Sequence, residues 1–323
     1  MNARTWLEVR IGEFTEGVDP RDRWIAIGRS TLALGALTTL LFTPMAALTV
    51  PIAGGPAGPV CASFRAVSIL CIGNPAELTE LRRWIMIAVL AAAAAGYRPR
   101  ITGPLHLWVA FSVATSITLP DGGDAIGLII LTLLLPISLA DGRRWQWSPS
   151  ALPLAAPWQS IVAASHLAVR MQLAFIYLDS GISKFATADW SNGTAEYYFL
   201  RDPMYGDGGP FAWLSLWASS FPLGTVTMTW GAIIVEIAIG LTLLMSWRWR
   251  RLSLTLDALL HVGIIVTIGL WSFSIVMIGA ATICASPLGK AKRPSPAPAR
   301  IEPGGRLLDA RAPEVLAQLG KEK

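Results

Sequence analysis

Long apolar runs alternate with short polar segments along most of the chain. They lie near 24–50, 83–97, 103–119, 124–140, 159–182 and 223–246, and a last run extends from Leu252 to Ser286. Most are close to the length that a helix needs to cross the hydrocarbon core of a bilayer. The last run is too long for one crossing, so we predict two short helices that turn near Gly269; a span followed by a re-entrant piece also fits. The pattern predicts an all-α polytopic bundle of about eight transmembrane helices, with seven as the alternative.

The composition supports an integral membrane protein. Hydrophobic residues make up 53% of the chain and charged residues 15%. The first apolar run is too long for the core of a cleavable signal peptide, so we expect it to remain as a helix. We predict an N-terminal interfacial segment (1–23), a transmembrane helical domain (24–289), and a cytoplasmic Pro-rich tail (290–323) that contains a short amphipathic helix.

Basic residues near the ends of the spans predict the orientation. Five clusters fall on one side when eight spans are drawn: Arg21, Arg23 and Arg29; Arg98 and Arg100; Arg143 and Arg144; Arg248, Arg250 and Arg251; and Lys290, Lys292 and Arg293. Lys and Arg are enriched in cytoplasmic loops, so both termini are expected in the cytoplasm. Arg82 and Arg83 are exceptions on the outer side. The net charge of +5 is explained by these inner loops, and no nucleic-acid-binding motif is present.

Two cysteines lie in the first outer segment, which this topology places at 51–82. Cys61 and Cys71 would face an oxidising compartment there, where disulfides form and persist. We predict that they are bridged, although two unpaired thiols in a loop are the alternative.

One face of the span 159–182 carries several polar residues. Arg170, Tyr177 and Lys184 recur every seven residues, Gly181 follows Tyr177 by four, and His166 lies one turn before Arg170. Ionisable groups in a membrane are costly and by default indicate function. Lys184, Arg170 and Tyr177 are therefore candidate catalytic residues. A lysine that snorkels from a helix end to the headgroups is the structural alternative for Lys184.

Later spans add two further candidates, Glu236 and His261. Glu236 lies deep in its span, so we expect Arg170 and Glu236 to be paired within the bundle. Asp257 precedes His261 by four residues and would face the same way, as a carboxylate that orients an imidazole does. Two ligands are too few for a metal site, so none is predicted.

The residues Arg170, Gln172, Tyr177, Gly181, Lys184, Trp190 and Gly193 resemble the signature of the horizontally transferred transmembrane domain. This membrane module is shared by vitamin K-dependent gamma-carboxylase and the sporulation-delaying protein B family. The stretch from Glu236 through His261 to Phe273 is similar to the helices that follow in the family. The resemblance covers roughly 155–286.

By this resemblance, Lys184 matches the lysine that deprotonates vitamin K hydroquinone, which implies a lipid quinone as cofactor; the residues themselves leave the cofactor unknown. A lysine acts as a base only when neutral, and repulsion from Arg170 would favour that state if both were buried. The chain departs from the carboxylase pattern in two ways. It lacks the large lumenal domain, and it offers Asp121 and Asp124 where the carboxylase has a functional histidine.

Three functions stay open at this point, and the sequence does not decide whether the protein is an enzyme. The first is a multi-pass protein of the bacterial cytoplasmic membrane that matures or modifies an exported antimicrobial peptide, together with a small partner protein. The second is a quinone-dependent membrane enzyme. The third is a non-catalytic peptide-binding or immunity-like scaffold.

Overall fold

A computed structural model describes residues 19–51, 58–74, 77–150, 153–203, 206 and 208–287. This part of the chain contains helices and no strand, with one isolated bridge between Tyr97 and Trp145. The helices of 14 residues or more are α1 (Arg23–Phe42), α2 (Thr79–Ala95), α3 (Pro99–Ser116), α4 (Gly122–Ala140), α5 (Ala156–Ser183), α6 (Pro222–Leu244), α7 (Trp247–Thr267) and α8 (Trp271–Cys284). Shorter α-helical or 3₁₀ segments are Met45–Leu48, Ser63–Val67, Ile69–Cys71, Lys184–Ala186, Ala188–Ser191, Ala195–Phe199 and Ala212–Ala218.

The sequence explains several helix ends. Asp22 caps α1 by accepting a hydrogen bond from the backbone N–H of Ile25. Asp121 and Asp124 form a reciprocal capping box at the start of α4, so these two residues have a structural role. The predicted span 24–50 is wrong only after residue 42, because α1 stops at Phe42, before Pro44, and a short helix follows.

The last apolar run is divided into two helices, as the sequence predicted. The break lies at Gly269, whose φ of +84° favours glycine. A Cβ atom there would also lie 2.6 Å from the carbonyl oxygen of Gly208. Close by, the backbone N–H groups of Gly209 and Phe211 donate to the last carbonyls of α7. These hydrogen bonds hold the segment around Gly209 against the break between α7 and α8.

Helix α8 lies at the centre of the bundle. It contacts α1, α4, α5 and α7, and so belongs both to the group formed by α1–α4 and to the group formed by α5–α7. The contact with α1 is close and antiparallel. A Cβ at Gly28 would lie 2.7 Å from the carbonyl oxygen of Gly279, and one at Gly35 would lie 2.7 Å from Val276. Small residues of this kind let two membrane helices approach closely.

Four basic clusters meet at one end of the bundle, which we call the basic end. Arg98 donates from its backbone N–H to the carbonyl of Arg144. Arg143 binds Asp141 at 2.8 Å, and the ring of Trp24 lies 5.7 Å from the guanidinium of Arg251. The clusters therefore share one side of the helices, as the sequence predicted.

The number of crossings stays a prediction. Four helices of the described part are long and apolar enough to cross a membrane by length and composition, namely α1, α4, α5 with its 3₁₀ extension, and α6. The segment 1–18, the amphipathic helix and all of the tail 290–323 lie outside the described residues.

The opposite end of the bundle carries the segment with the cysteines. Cys61 and Cys71 form a disulfide, with their Cα atoms 5.5 Å apart, which confirms the predicted pairing. Arg82, at the start of α2, is buried and donates hydrogen bonds to three carbonyls of this segment, those of Leu70, Ile72 and Asn74, at 2.5–2.9 Å. These hydrogen bonds explain why Arg82 lies at this end of the bundle, which carries fewer basic residues than the basic end.

Candidate functional site

Lys184 follows the last residue of α5 and its side chain points back into the bundle. Its Nζ lies 2.5 Å from Oε2 of Glu236 on α6, and it donates to Oγ of Ser180 at 2.9 Å. The side chains of Lys184 and Glu236 are only 16% and 14% exposed. The amine is therefore held inside, beside a carboxylate, and does not reach out toward the headgroups.

Two residues of the following segment complete the surroundings of the Lys184 amine. The ring centroid of Trp190 lies 5.0 Å from Nζ, which is within the range of a cation–π contact. Glu196, in the helix Ala195–Phe199, donates its backbone N–H to Oγ1 of Thr229 on α6. Burial raises the pKa of the Glu196 carboxyl above its usual value, and the charge of Lys184 acts in the opposite direction. Sequence reasoning missed Glu196, since no spacing links it to α5.

A second polar cluster lies deeper. The hydroxyl of Tyr177 on α5 hydrogen-bonds Oδ1 of Asp257 and, at 2.9 Å, Nε2 of His261; both partners are on α7. Tyr177, Asp257 and His261 are 3%, 0% and 2% exposed. The ring of Phe273 on α8 packs edge-on against the imidazole, with centroids 5.2 Å apart. The sequence predicted that Asp257 and His261 face the same way, but the structure inserts the phenol between them.

The two clusters are neighbours along α5. The Lys184 amine is bonded to Ser180, which follows Tyr177 by three residues, a rise of about 4.5 Å along a helix. A close crossing sets this register: a Cβ at Gly181 would lie 2.8 Å from Ile237 of α6. The group that approaches Gly181 is thus the neighbouring helix, which brings Glu236 to Lys184.

Arg170 does not belong to this site. It lies 14 residues before Lys184, about 21 Å along the helix, and donates to the carbonyl of Leu243 near the basic end. The hypothesis that repulsion from Arg170 keeps Lys184 neutral is therefore wrong. Arg170 and Glu236 are each engaged within the bundle, but with different partners.

Other residues of the predicted pattern have supporting positions. His166 is buried and its Nε2 lies 3.1 Å from the carbonyl of Ile283. Gly193 has a φ of +85° and lies against Trp230, so it turns the chain beside α6. Among the described residues, no group of three or more His, Cys, Asp or Glu side chains is arranged to hold a metal ion.

Two buried polar atoms of the deeper cluster have no hydrogen-bond partner in the part of the chain that the structure describes. They are Oδ2 of Asp257 and Nδ1 of His261. An unpartnered buried polar atom costs about 1–3 kcal/mol. A cluster kept at such a cost inside an apolar bundle is a candidate for chemistry rather than for packing.

The fold and the site define a helical membrane protein with a charged and hydrogen-bonded interior. The chain is 30% identical over 281 residues to the sporulation-delaying protein SdpB of Bacillus subtilis, covering 85% of this chain and 84% of that protein. It is also 34% identical over 275 residues to the protein YitO of the same species, covering 84% and 88%. The chain belongs to the SdpB family. No family model and no solved structure matches it.

Proposed function

We propose that this protein is a multi-pass protein of the bacterial cytoplasmic membrane that matures or modifies an exported antimicrobial peptide, with Lys184 and Glu236 as the reacting pair. The membership in the SdpB family and the four apolar helices support a membrane protein with a role like that of SdpB. The observation that carries the proposal is the ammonium–carboxylate contact of 2.5 Å beside Ser180 and Trp190.

The proposed topology places this site on the outer side. Both termini lie in the cytoplasm, eight helices cross the membrane, and the basic end faces inward. Lys184 and the segment 185–221 then lie toward the outside, where an exported peptide passes. A small partner protein and a lipid quinone stay open as participants. The resemblance to the sporulation-delaying protein B family implies the first, and the resemblance to the carboxylase implies the second.

Lys184 can act as a base through its contact with Glu236, and Arg170 is not required. A proton that moves from Nζ of Lys184 to Oε2 of Glu236 leaves a neutral amine and a neutral acid, and it separates no charge in the apolar interior. The amine can then accept a proton from a bound peptide, while Glu236 keeps the first proton. Arginine in place of Lys184 could hold the carboxylate but could not give up its proton.

The experiment compares the masses of secreted peptides from the native host with the gene intact, deleted and replaced by variants. We expect Lys184→Met and Lys184→Arg each to abolish the mass change that depends on this gene, while the amount of protein in the membrane stays near normal. Glu236→Gln should reduce it strongly, because the proton acceptor of Lys184 is lost.

Asp179→Asn is the matched control, since this residue of the same helix is exposed and lies off the polar stripe. It should leave the products unchanged. Full activity of the arginine variant would exclude the base role and leave an electrostatic one. If deletion of the gene changes no peptide mass, the maturation function itself is contradicted and a non-catalytic scaffold becomes the better description.

A further inference from the structure

The hydroxyl of Tyr177 is the connection between a buried acid and a buried base. Asp257 and His261 do not bond each other, because Nε2 and Oδ1 are 3.9 Å apart. The phenol oxygen touches both, at Oδ1 of Asp257 and at Nε2 of His261. A hydroxyl in this position can accept a proton on one side and donate one on the other.

No cation of the described residues pairs with Asp257. Arg170 donates to the carbonyl of Leu243, and Arg250 donates to the carbonyls of Cys284 and Ser286. The Lys184 amine is held by Glu236. An isolated charge inside an apolar bundle is costly. The cluster is therefore most stable when its net charge is zero, which requires one proton to be shared between the carboxyl and the imidazole.

We propose that Tyr177, Asp257 and His261 form a proton relay that holds this one mobile proton. In the first arrangement Asp257 carries it as a neutral acid that donates to the phenol oxygen, and the phenol donates to Nε2 of a neutral His261. In the transfer, the O–H bond of Asp257 breaks as a new O–H bond forms on Tyr177. The original O–H bond of Tyr177 breaks as an N–H bond forms on Nε2, which gives a carboxylate and an imidazolium.

The unpartnered atoms agree with a mobile proton. Nδ1 of His261 carries a hydrogen in both arrangements, and Oδ2 of Asp257 accepts none from the described residues. No hydrogen bond from outside the cluster therefore holds the proton on one side. A purely structural network is expected to satisfy all its members, because each buried orphan destabilises the fold.

The transfer has a direction in the bundle. His261 lies four residues nearer than Asp257 to the end of α7 at Thr267, about 6 Å along the helix. The segment that follows Lys184 is hydrogen-bonded to this end, through the N–H of Gly209 and the carbonyl of Thr267. Proton transfer from Asp257 to His261 thus moves positive charge toward Lys184 and Glu236. The relay does not depend on what Lys184 acts upon. Its test is therefore independent of the test of the peptide-maturation function.

The test is infrared difference spectroscopy of the protonated-carboxyl C=O stretch, combined with ¹⁵N NMR of histidine, on the full-length protein in lipid nanodiscs. The chain has only three histidines, so His106→Gln and His166→Gln leave His261 as the single remaining signal. We expect one of two signals and not both: either an acid C=O band that disappears in Asp257→Asn, or an imidazolium signal from His261.

Tyr177→Phe removes only the bridging hydroxyl. We expect it to raise the frequency of the Asp257 acid band, which loses its hydrogen bond, or to convert the His261 imidazolium to the neutral form. Asp124→Asn is the control, because Asp124 is a capping carboxyl on α4 and should leave both signals at 257 and 261 unchanged.

Two results would overturn the relay. If neither signal is present, the cluster is anionic and holds no shared proton. If Tyr177→Phe leaves both the carboxyl band and the imidazole signals as in the wild type, the hydroxyl does not connect the two groups. If Asp257→Asn does not fold, Tyr177→Phe alone tests the relay, because phenylalanine retains the shape of the tyrosine ring.

Discussion

Arg82 and Lys184 are both cations held inside the same end of the bundle, yet their partners differ in kind. Arg82 donates to three backbone carbonyls of the disulfide-bonded segment. Lys184 is bonded to Glu236 and Ser180 and lies beside a tryptophan. Carbonyl partners fix a loop and cannot change their charge, whereas a carboxylate can take up a proton. The comparison teaches that the chemistry of the partner, more than burial, separates a structural cation from a reactive one.

Replacing each cation by methionine should separate them most clearly. Arg82→Met leaves three carbonyls without donors, so we expect the free energy of unfolding to fall by about 3 kcal/mol or more. At pH 5 Lys184→Met should cost only about 1–2 kcal/mol, because Glu236 can take up a proton there at a cost of about 1 kcal/mol once its partner is gone. Thermal unfolding of both variants in the same detergent measures the difference. Equal losses would contradict the distinction.

Removing the disulfide of the segment that Arg82 binds should have an intermediate effect on stability. We expect Cys61→Ser combined with Cys71→Ser to lower the stability by about 2–3 kcal/mol, as the loop-entropy model gives for a short loop. Adding Arg82→Met should cost less than it does in the wild type, because the carbonyls are no longer held in place. Reductant is the control: it should lower the melting temperature of the wild type and leave the serine variant unchanged. Strict additivity would show that loop and arginine act independently.

The smallest expected effect on stability concerns Glu196, the carboxyl that is influenced by the charge of Lys184. Its pKa is raised by burial, so the folded state binds the proton more tightly than the unfolded chain does. Its contribution to stability therefore falls as pH rises above the usual glutamate pKa, and little is lost below it. We expect Glu196→Gln to be as stable as the wild type or more stable by up to about 1 kcal/mol at pH 7.5, with the advantage absent at pH 4.5.

Melting temperatures at the two pH values measure this effect of Glu196. Asp189→Asn, an exposed carboxyl in the preceding helix, should show no such dependence on pH. A glutamine variant that is less stable than the wild type at pH 7.5 would indicate that Glu196 is ionised and paired with Lys184.

Sequence patterns predicted the features that depend on a single helix or a single loop. Apolar runs predicted the positions of most long helices, the break at Gly269 and the shared end of the basic clusters. Tyr177 and Lys184 were placed on one face of a helix by their spacing. Two cysteines in a loop expected outside the membrane predicted the disulfide. Each of these features follows from local periodicity, local composition or the charge rule.

Contacts between helices could not be predicted in the same way. Glu236 meets Lys184, and Asp257 meets Tyr177, because close crossings such as that of Gly181 with Ile237 fix the register of neighbouring helices. Helical periodicity contains no information about that register. The error at Arg170 has a different cause, because it concerns one helix: Arg170 shares a face with Lys184, but their spacing of 14 residues places them about four helical turns apart.

The glycine contact between α1 and α8 has a consequence for biosynthesis. Gly28 and Gly279 join the first long helix to the last one, so the centre of the bundle stays unfilled until the ribosome has released almost the whole described chain. Phe273 of α8 can pack against His261 only at that stage. Nascent chains must therefore wait in the membrane with a helix face uncovered, and a premature stop codon before residue 271 should yield a product without an assembled site.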